Sequence, residues 1–246
     1  MPEILVCEEH SQLYDVWRDR GIRGLHLTHV DFHCDMSGLL LDRKRGRAWF
    51  IDGTVPGESI PHSGNFLGHA IVEGIVSSVR WVHDPHGGRN YDTGTVKYET
   101  DVTARLRRVL HRRRATDGVP IQFEELVFDD WEGTGVGEHL DIDWDGLASI
   151  EYDLDHIQRL TEGLLNRDFP SIPETTYLVY SPGYSHPDRG LYEDFIDRLA
   201  DKFSADVVRL PEPRLRPGYP KPPQEVTGLA RLKQEVVLRF HRAGIH

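Results

Sequence analysis

Asp31, His33 and Asp35 stand at alternate positions in Val30-Asp31-Phe32-His33-Cys34-Asp35, and these side chains together suit the binding of a divalent cation. Leu25, Leu27 and Val30 lead into the segment and read as a buried strand. Successive strand side chains point to opposite faces, so Asp31, His33 and Asp35 share a face while Phe32 and Cys34 turn away. Two carboxylates and an imidazole projecting together are costly to desolvate unless a positive charge lies among them. A solvated edge strand has the same pattern, and one segment does not separate the two readings. His139-Leu140-Asp141-Ile142-Asp143-Trp144-Asp145 repeats the design, with Asp141, Asp143 and Asp145 facing one way and Ile142 and Trp144 the other. Two such strands suggest carboxylates converging on a shared pair of cations. So many Asp and His ligands exceed one tetrahedral zinc site and suit two Mn2+ ions with mixed oxygen and nitrogen ligands.

The elements that must position these side chains follow the chain. Ile4-Leu5-Val6-Cys7 reads as a short buried strand ending at Glu8-Glu9-His10. Ser11 can cap the next helix, Leu13, Val16 and Trp17 give it an apolar side, and Gly21 stops it. The strand before Asp31 completes a βαβ unit, which implies a parallel sheet with crossover helices. Ligands collect at the carboxyl ends of such strands, where His10, Asp31, His33 and Asp35 fall. Further on, Ala48 to Ile51 reads as a short strand, Asp52 to Gly64 as a loop and Leu67 to Trp81 as one helix. His83-Asp84-Pro85-His86-Gly87-Gly88 is a loop that its Pro and Gly explain without a metal. Strands are expected at 121–123, 126–128, 139–145 and 175–180, and helices at 153–166 and 192–203. Residues 211–223 are too proline-rich for a helix or a central strand and should run extended before a last helix over 229–242. No repeat or second domain is visible, so residues 1–246 are read as a single domain.

Composition narrows the class. The chain has 246 residues, of which 38% are hydrophobic and 28% charged, values of a globular domain with a sizeable core. No apolar run approaches the ~20 residues of a membrane span. Cys7 and Cys34 cannot make a disulfide framework, and the N-terminus lacks the pattern of a secretory signal, so a cytoplasmic location is expected. A net charge of −11 argues against a general nucleic-acid binder and is compatible with a cationic substrate. Arg105 to Arg114, with Leu106, Val109 and Leu110 at helical spacing, reads as an amphipathic helix with a basic face.

With Glu9-His10-Ser11, Asp31-Phe32-His33-Cys34-Asp35 and His139-Leu140-Asp141-Ile142-Asp143-Trp144-Asp145-Gly146-Leu147 in this order, the chain resembles the arginase–deacetylase superfamily, and within it the ureohydrolases. The match runs in ordered pieces over about the first 150 residues. The resemblance implies a three-layer α/β/α sandwich with a mostly parallel central sheet. It implies the metal ligands His10, Asp31, His33, Asp35, Asp143 and Asp145, with Asp31 and Asp143 bridging two Mn2+ ions. Gly146-Leu147 sets the register, which puts Asp141 where ureohydrolases carry a serine, behind the ligands. The short length and the opening Glu-Glu-His resemble the peptide arginases, which convert arginine side chains of a precursor peptide to ornithine.

Ser63-Gly64-Asn65 resembles an arginase segment that binds substrate beside a proton-shuttling histidine. His69 lies four residues beyond Asn65, a longer spacing than the family's, and His62 is adjacent on the other side. By this resemblance Ser63 and Asn65 contact substrate, and His69 and Asp141 act in catalysis. The family's guanidinium-gripping acid has no counterpart at Tyr180 to Tyr184, and neither Asp188 nor Glu193 has motif support. Tyr184 could instead resemble the tyrosine with which deacetylases stabilise an oxyanion. The expectations are therefore a binuclear manganese hydrolase of peptide arginine, with a deacylase of the same superfamily or a hydrolase of free guanidine compounds as alternatives.

Overall fold

The structure, a computed structural model, describes residues 1–37, 39–42, 44–50, 61–84, 97–98 and 118–211. The expected basic helix at 105–114, nearly all of the proline-rich segment and the last helix lie outside the described residues. Seven strands form the main sheet: β1 (Glu3–Cys7), β2 (Leu25–Val30), β5 (Val76–His83), β8 (Gln122–Val127), β9 (His139–Asp143), β10 (Thr175–Val179) and β11 (Asp206–Arg209). Their spatial order is β11-β1-β10-β9-β2-β5-β8, and every pairing is parallel. A second sheet, not anticipated from sequence, joins β3 (Leu39–Asp42), β4 (Arg47–Phe50), β6 (Lys97–Tyr98) and β7 (Val119–Pro120) in the order β6-β3-β4-β7.

Alternation along the strands divides the apolar residues between the two faces of the main sheet. Leu5, Cys7, Leu27, Val79, Tyr177 and Val179 pack against helices α1 (Ser11–Asp19) and α2 (Phe66–Val72). Ile4, Val6, Val30, Leu140, Ile142 and Leu178 pack against α3 (Trp144–Ala148), α4 (Leu154–Leu165) and α5 (Arg189–Phe203). This is the expected three-layer α/β/α arrangement. Among the described residues no helix is long and apolar enough to cross a membrane.

Three local expectations need correction. The segment Leu67 to Trp81 is a helix only as far as Val72. Gly74 at φ +71° closes α2, its N–H bonding Ile71 O while that of Ile75 bonds Ala70 O, a Schellman stop. The β-branched run that follows becomes β5. Second, β2 ends at Val30, so Asp31, His33 and Asp35 do not lie along one strand face. They sit in the turn beyond it, where Asp35 adopts φ +49°, a conformation Asp tolerates better than most residues. Third, β9 ends at Asp143, which caps α3 by accepting the Asp145 N–H at 3.2 Å, so Asp145 belongs to a helical first turn.

The strand order changes direction between the neighbours β2 and β9, the chain leaving β2 toward β5 and β8 and leaving β9 toward β10 and β11. The chain passes from β1 to β2 through α1, while β10 and β9 insert between those strands later. A reversal of this kind opens a crevice at the carboxyl ends of the strands.

Candidate metal centre

Four adjacent strand ends supply the crevice. His10 follows β1, Asp31 follows β2, Asp143 ends β9 and Ser181 follows β10. His10 Nδ1 lies 2.9 Å from Asp35 Oδ2, 3.0 Å from Asp143 Oδ2 and 3.5 Å from Asp31 Oδ2. His33 Nδ1 lies 3.2 Å from Asp145 Oδ2 and 3.7 Å from Asp31 Oδ1. Three candidate ligand groups result: His10-Asp31-Asp35-Asp143 and Asp31-His33-Asp145, which share Asp31 and hold the expected ligands, and His10-His29-Asp141 behind them. The structure thus brings together all six residues expected as ligands.

The spacing is that of ligands around a shared ion and equally of hydrogen bonds, and the unsatisfied atoms favour the ion. Neighbouring ligands of an octahedral cation with bonds of about 2.1 Å stand about 3.0 Å apart. His10 Nδ1, Asp31 Oδ2 and Asp145 Oδ1 are buried and have no hydrogen-bond partner although charged atoms lie close by. Buried polar atoms left in this condition are rare unless something else satisfies them. Four of the six ligand side chains are carboxylates, and all four are buried. Burial, and then the charges of Asp35, Asp145 and Asp143, push the Asp31 carboxyl well above the usual range. Burial and the Asp145 charge raise Asp143 to about 6, against the pull of His10 and Ser181. Divalent cations would relieve both causes, so the donor set fits hard or borderline ions with oxygen and nitrogen ligands.

Supporting contacts hold the ligands from behind. The Ser181 hydroxyl donates to Asp143 Oδ2 at 2.6 Å from a backbone at φ +51°. Trp81 Nε1–H donates to Asp31 O at 3.1 Å, and the Asp31 Oδ1 accepts the His33 N–H at 2.6 Å. Phe66, at the start of α2, stacks on the His10 ring at 4.8 Å. Asp141 lies beneath the ligands, 3.2 Å from His10 Nε2 and 2.8 Å from His29 Nδ1. Burial raises its pKa, but His10 and His29 outweigh burial and bring it down to about 2. Sequence reading does not single out His29 or Ser181. His29 stands two residues before Asp31, at the interval that marks the other ligands, and this is the available signal.

Of the remaining residues expected in the site, Tyr184 and the Ser63–Asn65 turn lie beside the ligands, whereas His69 is buried on α2 away from them in contact with Tyr14. Tyr184 is 46% exposed and presents its ring edge-on to His33 at 5.4 Å. Partial burial and the charges of Asp145 and Asp35 push its phenol up, which keeps it protonated. Asn65 accepts the His62 N–H at 2.7 Å, and Ser63 lies in the half-buried turn between them. His62 is near enough to Asp35 to feel its charge. His69 is buried on α2 with its ring against Tyr14 at 6.0 Å, and burial lowers its pKa. Of the acids weighed for the guanidinium, Asp188 caps α5 by accepting the Gly190 N–H, and Glu193 pairs with Arg209.

No family model matches the chain, and no curated protein matches it. Among solved structures it is similar to proclavaminate amidinohydrolase from Streptomyces clavuligerus, with 14% identity over 82% of this chain and 63% of that one, at a TM-score of 0.39. It is also similar to a hypothetical agmatinase from Burkholderia thailandensis, with 14% identity over 82% of this chain and 59% of that one, again at 0.39. The chain therefore spans less than two thirds of the length of either structure.

Proposed function

We propose that the protein is a binuclear, manganese-dependent hydrolase that converts arginine side chains, carried in a peptide, to ornithine and urea. One observation carries the reading: buried, mutually repelling carboxylates and two imidazoles converge from the ends of β1, β2 and β9, with ligand atoms among them that no hydrogen bond satisfies. His10, Asp31, Asp35 and Asp143 would hold one ion, and Asp31, His33 and Asp145, with Asp143, the other. A pair of ions bound there supplies Lewis acidity and lowers the pKa of a bound water toward neutrality. A guanidinium is a poor electrophile, so its hydrolysis needs that help.

The protein's own groups supply the rest. Asp141 engages His10 Nε2 and leaves Nδ1 facing the centre. Ser181 restricts the rotation of Asp143. His62 and His69, whose pKa values burial lowers, stay neutral near pH 7 and can accept and return a proton. The sequence resemblance, rather than a contact with the ligands, assigns His69 the protonation of the leaving ornithine amine. Ser63 and Asn65 border the route to substrate, and the exposed Tyr184 lines a mouth open to a peptide. The chain's acidic balance favours a cationic substrate.

Mass spectrometry of an arginine-containing peptide after incubation with Mn2+-loaded protein should show loss of CH2N2 per converted side chain, with urea released in equal amount. Parallel incubations with free arginine and agmatine define the substrate class. A second reading has one favourable observation, the protonated Tyr184 phenol beside His33, which suits an oxyanion donor in a deacylase. Release of acetate from an acetyl-lysine peptide, with arginine peptides untouched, would decide for it.

A further inference from the structure

We propose that His29 is a positioning residue which, with Asp141, forms a buried bracket holding His10 and Asp31 in register. The inference rests on the two-ion reading above. The four side chains approach one another in a ring, hydrogen-bonded through Asp141 and in close proximity at Asp31. Asp141 Oδ1 meets His10 Nε2 at 3.2 Å, and Asp141 Oδ2 meets His29 Nδ1 at 2.8 Å. His29 Nε2 lies 3.2 Å from Asp31 Oδ2, which returns to His10 Nδ1 at 3.5 Å. All four residues are 0% exposed.

Topology makes the ring possible. His29 and Asp141 are direct partners in the parallel pairing of β2 with β9, so their side chains leave the sheet side by side on one face. Leu25 and Leu27 precede His29 on that face and are apolar core. Phe66 stands edge-on to the His29 ring at 6.4 Å, which an aliphatic side chain would serve equally well. Burying an imidazole there costs desolvation that packing does not return. Its Nδ1 is hydrogen-bonded to Asp141 Oδ2, and its Nε2, which no hydrogen bond satisfies, lies beside Asp31 Oδ2, and these two placements account for its presence. The bracket links ligands that follow two strands separated in the sheet by β10 and β9, so it sets the distance between them.

His29→Leu keeps a side chain of similar size while removing both nitrogens. Titration of purified full-length protein with Mn2+ should show one of two ions bound about 10- to 100-fold more weakly, the range for groups that orient a ligand from behind. Electron paramagnetic resonance should then show the pattern of an isolated Mn2+ at loadings that give a coupled pair in the wild type. His29→Asn, which can still reach Asp141, should recover part of the loss. In combination with Asp141→Asn, His29→Leu should add little, because the two residues act as one unit. Wild-type affinity and a coupled spectrum in His29→Leu would overturn the bracket and leave the two-ion reading standing. A wild type that binds no Mn2+ would overturn both. If His29→Leu does not fold by circular dichroism, Asp141→Asn decides: unchanged affinity for both ions refutes the bracket.

Discussion

Gly146, in the short helix that carries Asp145, gives the most demanding test of how the centre is built. A Cβ at Gly146 would lie 2.7 Å from Asp31 Cα, 2.9 Å from Asp31 N and 3.1 Å from Asp31 C. These are backbone atoms and cannot swing aside. Comfortable carbon contacts begin near about 3.5 Å, so Gly146→Ala must part α3 from the Asp31 turn by roughly 1 Å. Helix propensity alone predicts the opposite sign, a gain of up to about 1 kcal/mol. Overpacking costs about 1–3 kcal/mol, and with backbone against backbone it falls at the upper end. The net expectation is a loss of about 2 kcal/mol, which for a chain of this size lowers Tm by about 4–8 °C. The same displacement moves the Asp145 carboxylate away from His33 and Asp31, so the ion they share should be bound at least about tenfold more weakly. Thermal denaturation and Mn2+ titration read the two effects. Gly64→Ala is the matched control, because its Cβ approaches nothing closer than 3.6 Å, and it should stay within about 1 kcal/mol of wild type. A Gly146→Ala protein that melts with the wild type and binds both ions normally would refute the close approach of α3 to Asp31.

Other expectations are simpler to test. Because Asp31 is held well above the usual carboxylate range, it stabilises the metal-free fold below about pH 4 and costs stability as pH rises through its folded value. Asp31→Asn should therefore raise the Tm of metal-stripped protein at pH 7, lower that of Mn2+-loaded protein and abolish turnover; a lower Tm in both states would contradict the charge repulsion. Burial works to lower His33, but the charge and hydrogen bond of Asp145 push it up to about 9. An ion at His33 must then displace a proton, so Mn2+ affinity should rise with pH and level off above about 9; isothermal titration at several pH values checks this, and a flat profile excludes His33 as a ligand. Ser181→Ala removes a donor to Asp143 and should weaken Mn2+ binding by about tenfold while the circular dichroism spectrum is unchanged. Tyr184→Phe, at a half-exposed site, should change stability by less than about 0.5 kcal/mol. A large fall in kcat with KM constant would mark its hydroxyl as acting only in the transition state.

The donor atoms and the order in which they occur are legible in the residues alone. Alternating Asp and His after an apolar run, twice in one chain, point to a cation site, and the βαβ start places it at strand ends. The apolar strands are legible for a related reason: a strand buried on both faces is apolar at nearly every position, as in Ile4 to Cys7. The expected helix over 67–81 fails because its apolar residues suit either period, and Gly74 decides between them only through a positive φ that the adjoining β5 demands. How the ligands converge is not legible locally either. A common strand face would point Asp31, His33 and Asp35 in one direction, as spokes of one row. Instead the backbone leaves β2 after Val30 and leaves β9 after Asp143, and it folds the carboxylates inward through a left-handed turn and a helix cap. Above all, the pairing of His29 with Asp141 joins residues 112 positions apart. Local periodicity holds no record of which strands become neighbours. That choice belongs to the packing of helices on both faces of the sheet, which inserts β9 and β10 between β1 and β2 and so brings Asp141 and Asp143 among His10, His29 and Asp31.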